Sequence, residues 1–241
     1  MDTVFESVYK IDTVDANMFG RLRTSRLLEL IQQVSGAHAA KLGFGSPVLD
    51  PINLGWVVVR QKLECERMPL RGESLRFITW PGREMHGIFP RYMQIENAGT
   101  GELLLRASVL WVLMNKDSRT MIQPSAYGLK MTPSDRPALL PLPKLPKNTL
   151  PKIKKVPFTV PFCFVDILGH MNNARYLDAA ENVLDDARKG RDIRSLVIEY
   201  THEAKLDETI EMSVGNEGYE WFVRGMKDGM QVFALYITYN Q

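Results

Sequence analysis

RTSRLLELIQQVSGAHAAKLG, residues 23–43, sets Leu27, Leu28, Ile31, Val34 and the alanines between 37 and 40 on one stripe at helical spacing. Gly43 supplies a stop. The runs that follow change period. WVVVRQKLE (56–64), ESLRFITW (73–80), FPRYMQIEN (89–97) and LLLRASVLWVLMN (103–115) alternate, or are rich in β-branched and aromatic residues. AGTG at 98–101 reads as the turn between the last two. One helix followed by antiparallel strands must bury its stripe against the sheet.

The same order recurs. NNARYLDAAENVLDDAR (172–188) carries a helical stripe of Leu177, Ala180, Val183, Leu184 and Ala187. SLVIEYTHEA (195–204), ETIEMSVGN (208–216), YEWFVRGM (219–226) and QVFALYITYN (231–240) follow as strands, with KDGM at 227–230 as the matching turn. Between the copies lie Pro133, Pro137, Pro141, Pro143, Pro146, Pro151, Pro157 and Pro161. Each removes a backbone donor and fixes φ, so the stretch reads as an extended connector. The expected fold class is α+β: two copies of an antiparallel sheet wrapped around a long central helix, over 1–132 and 157–241, joined by a Pro/Lys-rich linker at 133–156.

The repeat aligns in detail. MPLRGESL (68–75) matches EAKLDETI (203–210), so Met68 corresponds to Glu203 and Pro69 to Ala204. Arg21, after Gly20, corresponds to His170, after Gly169. The His and the Glu occur only in the second copy, which places the chemistry there. Asp166 and His170 flank a glycine at a helix entrance, where unpaired N–H groups point outward and can hold an oxyanion. An acid there can act on a water, and a histidine can orient that water or hydrogen-bond a substrate. Asn172 and Asn173 read as caps and framework. There is no GxSxG elbow, no Walker loop and no GxGxxG.

Composition bounds the rest. The 241 residues are 45% apolar and 24% charged, with net charge +2, too little to argue for nucleic acid. Apolar runs such as Gly55–Val59 and Val109–Met114 are too short to span a bilayer. The first residues show no basic stretch before an apolar core, so a cytoplasmic location is expected. The two cysteines, Cys65 and Cys163, form no metal-binding cluster, so neither metal nor cofactor is expected. Lys144, Lys147, Lys152, Lys154 and Lys155 crowd the connector. Two readings stand: a solvated linker, or a docking surface for an acidic partner.

DILGHMNNARYLD (166–178) resembles the signature of hotdog-fold thioesterases. Together with the repeat, GRLRTSRLLELIQQVSGAHAAKLGFG, WVVVRQKLE, TWPG and YTHEA, the chain is similar to the acyl-acyl-carrier-protein thioesterases of plants and bacteria. The resemblance implies two tandem hotdog domains, with the first binding the acyl chain. It implies hydrolysis of fatty acyl thioesters of acyl carrier protein to free fatty acid, ending fatty acid synthesis. The carrier, an acidic protein, would be the partner, and homodimer formation stays open. The family pattern Asp-x-Asn-x-His, with a later Glu, falls on Asp166, His170 and Glu203 as catalytic residues. Leu168 stands in place of the Asn, and Ala204 in place of the Cys of plant members. The second departure favours attack by water over a thiol. An acyl-CoA thioesterase, or a non-catalytic acyl- or carrier-binding hotdog protein, are the alternatives.

Overall fold

The helix read over 23–43 forms as α1, Thr24–Lys41. Leu27, Leu28, Ile31 and Val34 are buried along it. Gly43 ends it with φ at +83°, and its N–H donates to the Ala40 carbonyl at 3.1 Å. Only glycine takes that left-handed conformation without steric cost. The computed structural model describes residues 3–146 and 150–241.

Among the described residues, ten strands accompany the helices. In chain order they are β1 (Phe5–Lys10), β2 (Leu54–Cys65), β3 (Ser74–Pro81), β4 (Ile88–Asn97), β5 (Leu103–Asn115), β6 (Lys152–Thr159), β7 (Ile193–Tyr200), β8 (Thr209–Glu217), β9 (Glu220–Lys227) and β10 (Met230–Tyr239). They form one sheet in the order β1-β3-β4-β5-β2-β7-β10-β9-β8-β6. Every neighbouring pair is antiparallel. Read outward from the centre, each half has the same order, so the sequence repeat becomes a repeat of topology. The halves meet where β2 pairs with β7, from Arg60↔Glu199 to Glu64↔Ser195. An Arg60–Glu199 ion pair lies on that seam. One core runs through both halves, from Leu27, Ile31 and Phe77 to Leu177, Leu196 and Phe233.

The second helix departs from expectation. Residues 172–188 do not form one long helix. They form α3 (Arg175–Glu181), a break at Asn182–Leu184, and a short α4 (Asp185–Arg188). Asn182 and Val183 are weak helix formers. Asp185 and Asp186 favour a fresh helix N-terminus, where carboxylates meet the positive end of the dipole. Leu184 turns inward and is fully buried. Asp186 is anchored by Trp221 Nε1 at 2.8 Å and by Arg191 Nε at 3.1 Å. A short α2 (Ser46–Leu49) follows α1. No helix among the described residues is long and apolar enough to cross a membrane.

The connector is extended, as its prolines require, but it ends sooner than 156. Residues 152–156 already belong to β6, which pairs with β8 and forms one edge of the sheet. An edge strand tolerates Pro157 because its free side needs no donor. Upstream, the connector packs on the first half. Ser134 N–H donates to the Pro81 carbonyl at 2.9 Å, Trp80 Nε1 to Pro137 at 3.3 Å, and Arg60 Nη1 to Pro143 at 3.0 Å. Lys147 lies outside the described residues.

Glu181 ties α3 to α1 through the Thr24 hydroxyl, and burial pushes its carboxyl up to about 7. The folded state therefore holds a proton that the unfolded chain releases near 4.5. Stability from this group is full below about 4.5 and falls as pH rises towards 7. Glu181→Gln is expected to raise the melting temperature at pH 8 and to change it little at pH 4.5. Paired thermal melts check this.

Candidate active site

The loop 165–172 is built by Asp166. Its Oδ1 accepts the Leu168 N–H at 2.9 Å, and its Oδ2 accepts Asn172 Nδ2 at 3.3 Å. The Asp166 N–H donates to the His170 carbonyl at 3.0 Å. Gly169, at φ +80°, closes the turn. Asn172 Oδ1 accepts the Ala174 N–H at 3.0 Å as the chain turns into α3, which is the framework role expected of an asparagine here. The Asn173 carbonyl accepts the Tyr200 hydroxyl at 3.0 Å.

This loop delivers His170 to a cleft. Its Nε2 lies 3.4 Å from Glu203 Oε1. Glu203 follows β7 and is held in place because the Thr201 N–H donates to the Val232 carbonyl of β10 at 2.9 Å. The same Glu203 oxygen lies 2.9 Å from Arg119 Nη1. Arg119 comes from the other half, in the turn after β5. Asn115 builds that turn by accepting the N–H groups of Asp117 and Ser118 on its side chain, and of Arg119 on its carbonyl. Arg119 sits at φ +55°, a conformation that costs a non-glycine residue about 1–2 kcal/mol. The surrounding turn enforces it, a form of strain that concentrates at functional sites.

The cleft has a volume of about 440 Å³ and opens beside the β2–β7 seam. Val57–Val59, Met114 and Met171 supply apolar wall, while Tyr176, Tyr200, His202, Lys205 and Lys227 supply polar wall. Tyr176 accepts the Ala204 N–H at 3.2 Å. Burial pushes its hydroxyl up, and the charges of Glu203, Glu208 and Asp166 push it further, so it stays protonated. The structure thus brings His170 and Glu203 together. Among the described residues, no hydrogen bond or ion pair joins the Asp166 carboxylate to either side chain. Asp166 does not line the cleft; its contacts stay within the loop that carries His170.

In the first half the matching positions hold the fold together. Arg21 bonds Asp192 of the second half at 2.7 Å. Met68 is buried in the core. Where the second half places a histidine and a glutamate, the first half places an ion pair to the other half and a core side chain.

The family model for the acyl-ACP thioesterase N-terminal domain matches residues 2–124, and that for the C-terminal domain matches residues 148–238. The chain belongs to the acyl-ACP thioesterase family. A palmitoyl-acyl carrier protein thioesterase of Cuphea hookeriana is 28% identical over 191 residues, 75% of this chain and 46% of that protein. One from Gossypium hirsutum is 28% identical over 223 residues, 86% of this chain and 54% of its own. The chain therefore spans about half the length of the curated relatives it matches. Among solved structures, an acyl-ACP thioesterase from Bacteroides thetaiotaomicron superposes with TM-score 0.85 at 20% identity, covering 99% of this chain and 98% of that one. The 12:0-ACP thioesterase from Umbellularia californica gives 0.80 at 22% identity, covering 100% and 98%. At such identities these likenesses show the fold.

Thiol chemistry has little support at either cysteine or at Ala204. Ala204 is fully buried. Burial pushes the Cys65 thiol up to about 12, and Cys163 lies exposed on a turn outside the cleft. Among the described residues no group of three or more His, Cys, Asp or Glu side chains could hold a metal ion.

Leu168 is the residue read from the sequence as standing in place of the Asn of the resembled pattern. It is 46% exposed and does not line the cleft. An amide there meets water rather than an apolar pocket, so the desolvation cost of a buried polar group does not arise. Leu168→Asn is expected to shift stability by no more than about 0.5 kcal/mol, the usual range for surface changes. It should leave kcat within two-fold, as read by melting temperature and single-turnover rate. A large rise in kcat would place position 168 in the reaction.

Sequence reading missed Arg119, Tyr176, Tyr200 and the two lysines of the cleft. Arg119 was invisible for a definite reason. It lies in the copy that lacks the His and Glu, and only the β2–β7 pairing carries it to the other half's site.

Proposed function

We propose that this chain hydrolyses fatty acyl thioesters of acyl carrier protein, releasing a free fatty acid and the carrier thiol. The observation that carries this reading is the convergence of His170, Glu203 and Arg119, from both halves, on one partly apolar cleft. Arg119 supplies Glu203 with a counter-charge at 2.9 Å. Glu203 takes a proton from a water as that water attacks the thioester carbonyl carbon. His170 orients the water, takes that proton from Glu203 through Nε2 and delivers it to the sulfur as the C–S bond breaks, which restores both side chains. Asp166 holds the loop that aims His170, and its charge adds to the negative potential around Tyr176. The halves are read as tandem hotdog domains over 1–132 and 152–241, with the connector bracing the first. The relatives named for palmitoyl-acyl carrier protein, and the similar fold of solved acyl-ACP thioesterases, support this assignment.

Thiol release by the purified protein, from acyl carrier protein and from CoA loaded with the same acyl groups, tests the reading. Release from the carrier substrate at the higher kcat/KM is expected. A CoA preference would identify an acyl-CoA thioesterase, and no release from either would leave a binding protein. The basic stretch supplies a second arm. Lys155 is already paired with Glu211, and Lys154 lies 3.9 Å from Asp185, so Lys144 and Lys152 are the better docking candidates. Reversing both to Glu is expected to raise KM for the carrier substrate several-fold at low salt, less at high salt, and not for an acyl-pantetheine. Equal effects on both substrates would take these lysines out of docking.

A further inference from the structure

Arg91, on the face of β4 that meets α1, is a buried cation without an anion. It is 5% exposed. Its Nη1 lies 2.9 Å from His38 Nδ1 and 3.3 Å from Thr79 Oγ1. Both bonds use the same nitrogen, which leaves the donors on Nε and Nη2. Among the described residues no carboxylate lies within ion-pair distance of it. Burial alone pulls its pKa down, to about 10, so it remains charged at neutral pH. A guanidinium taken out of water without a counter-charge is costly, and proteins seldom keep one without a partner.

Arg91 lines a pocket of about 50 Å³ between α1 and the sheet. Its neighbours there are Ser35, Gly36, Ala39, Trp56, Phe89 and Trp111. The wall is otherwise apolar apart from Ser35, whose hydroxyl donates to the Ile31 carbonyl at 2.6 Å, and one further group. The indole N–H of Trp111 is buried and, among the described residues, has no acceptor. Two residues that line this pocket thus carry donors without their full set of acceptors among the described residues. The pocket neighbours the proposed thioester cleft on one face of the sheet: Val58 lines the cleft, and Trp56, two residues before it, and Trp111, its partner on β5, line the pocket.

We propose that this pocket selects an acyl chain bearing a hydrogen-bond-accepting oxygen, which Arg91 and Trp111 bind. A plain hydrocarbon chain would cover both donors and satisfy neither. An oxygen on the chain accepts from them, and the methylenes on either side pack against Trp56 and Phe89. The inference rests on the thioesterase reading only for how the chain arrives.

The test compares acyl-pantetheine thioesters of one length: unsubstituted, hydroxyl-bearing, keto-bearing and ω-carboxyl. Calorimetry with the corresponding free acids reads the pocket without any turnover. Native protein is expected to prefer at least one oxygenated class over the plain chain by about ten-fold or more, since sites with buried donors discriminate against ligands lacking the acceptor. The preference should fall towards unity in Arg91→Met and partly in Trp111→Phe, while Arg91→Lys retains some of it. If Arg91→Met does not fold, the Trp111→Phe and Arg91→Lys arms decide. Native protein that favours the plain chain, or variants that keep the preference unchanged, would overturn the proposal. Hydrolysis without any such preference would sink this inference and leave the thioesterase reading. A binding preference without hydrolysis would do the reverse.

Discussion

Glu203→Gln is expected to lower kcat by at least ~10²-fold, the scale of a lost general base. Glutamine keeps the shape and removes the charge. Glu203 is about a third exposed, so the fold does not depend on it. The change removes the proton acceptor and leaves Arg119 without its counter-charge. His170→Ala should cost a similar factor, because Nε2 no longer faces the carboxylate at 3.4 Å. The double variant should be little worse than either single one, since residues that act as one unit lose their effect together. Steady-state kinetics on the best acyl-carrier substrate, with melting temperatures to show that each variant folds, check this. Losses that multiply across the two sites would assign them to separate steps. Near-native turnover in Glu203→Gln would remove it from the mechanism.

The sequence carried the fold because two physical periods were strong in it. The 3.6-residue stripe of α1 and the alternation of β2 to β5 and β7 to β10 each had one burial solution. Internal duplication then fixed which strands belonged together. The break in the second helix was harder to see. Leu177, Ala180, Val183, Leu184 and Ala187 keep helical spacing through Asn182–Leu184, and only the pull of Leu184 into the core and of Asp186 towards Trp221 and Arg191 divides the segment. His170 and Glu203 were legible because a duplicated scaffold exposes what one copy adds. The bonds that the Asp166 carboxylate makes were not, since an Asx turn and a free carboxylate look alike in sequence. Arg91 gave no signal at all: in FPRYMQIEN it sits among strand residues, and a sequence does not say which of them lacks a counter-ion.

Phe233→Ala is expected to be the most destabilising single change near the site, by about 3–5 kcal/mol, the range for deleting a buried aromatic ring. Phe233 is 1% exposed, and its ring packs 5.2 Å from that of Tyr176. It lies across the sheet from Gly225, its paired residue on β9. A Cβ on Gly225 would come 2.3 Å from Phe233 Cε1 and 2.8 Å from Ile210 Cγ2. The glycine therefore makes room for the ring, and Gly225→Ala alone should destabilise by about 1–3 kcal/mol through overpacking. The two changes should not add. With the ring gone, the alanine methyl enters the vacated space and recovers part of the lost contact. The double variant is expected to be more stable than the sum of the singles by about 1 kcal/mol or more, within the range for residues in contact. Turnover follows the same logic. Phe233 buttresses Tyr176, whose hydroxyl accepts the N–H of Ala204, the residue after Glu203, and Val232 beside it lines the cleft. Loosening that wall should lower kcat in Phe233→Ala even where the protein is fully folded. Denaturant midpoints for the four proteins, with kcat measured well below each melting temperature, give both readings. Strictly additive stabilities would mean that Gly225 is there for some reason other than the ring, and an unchanged kcat in Phe233→Ala would detach Tyr176 from the working of the site.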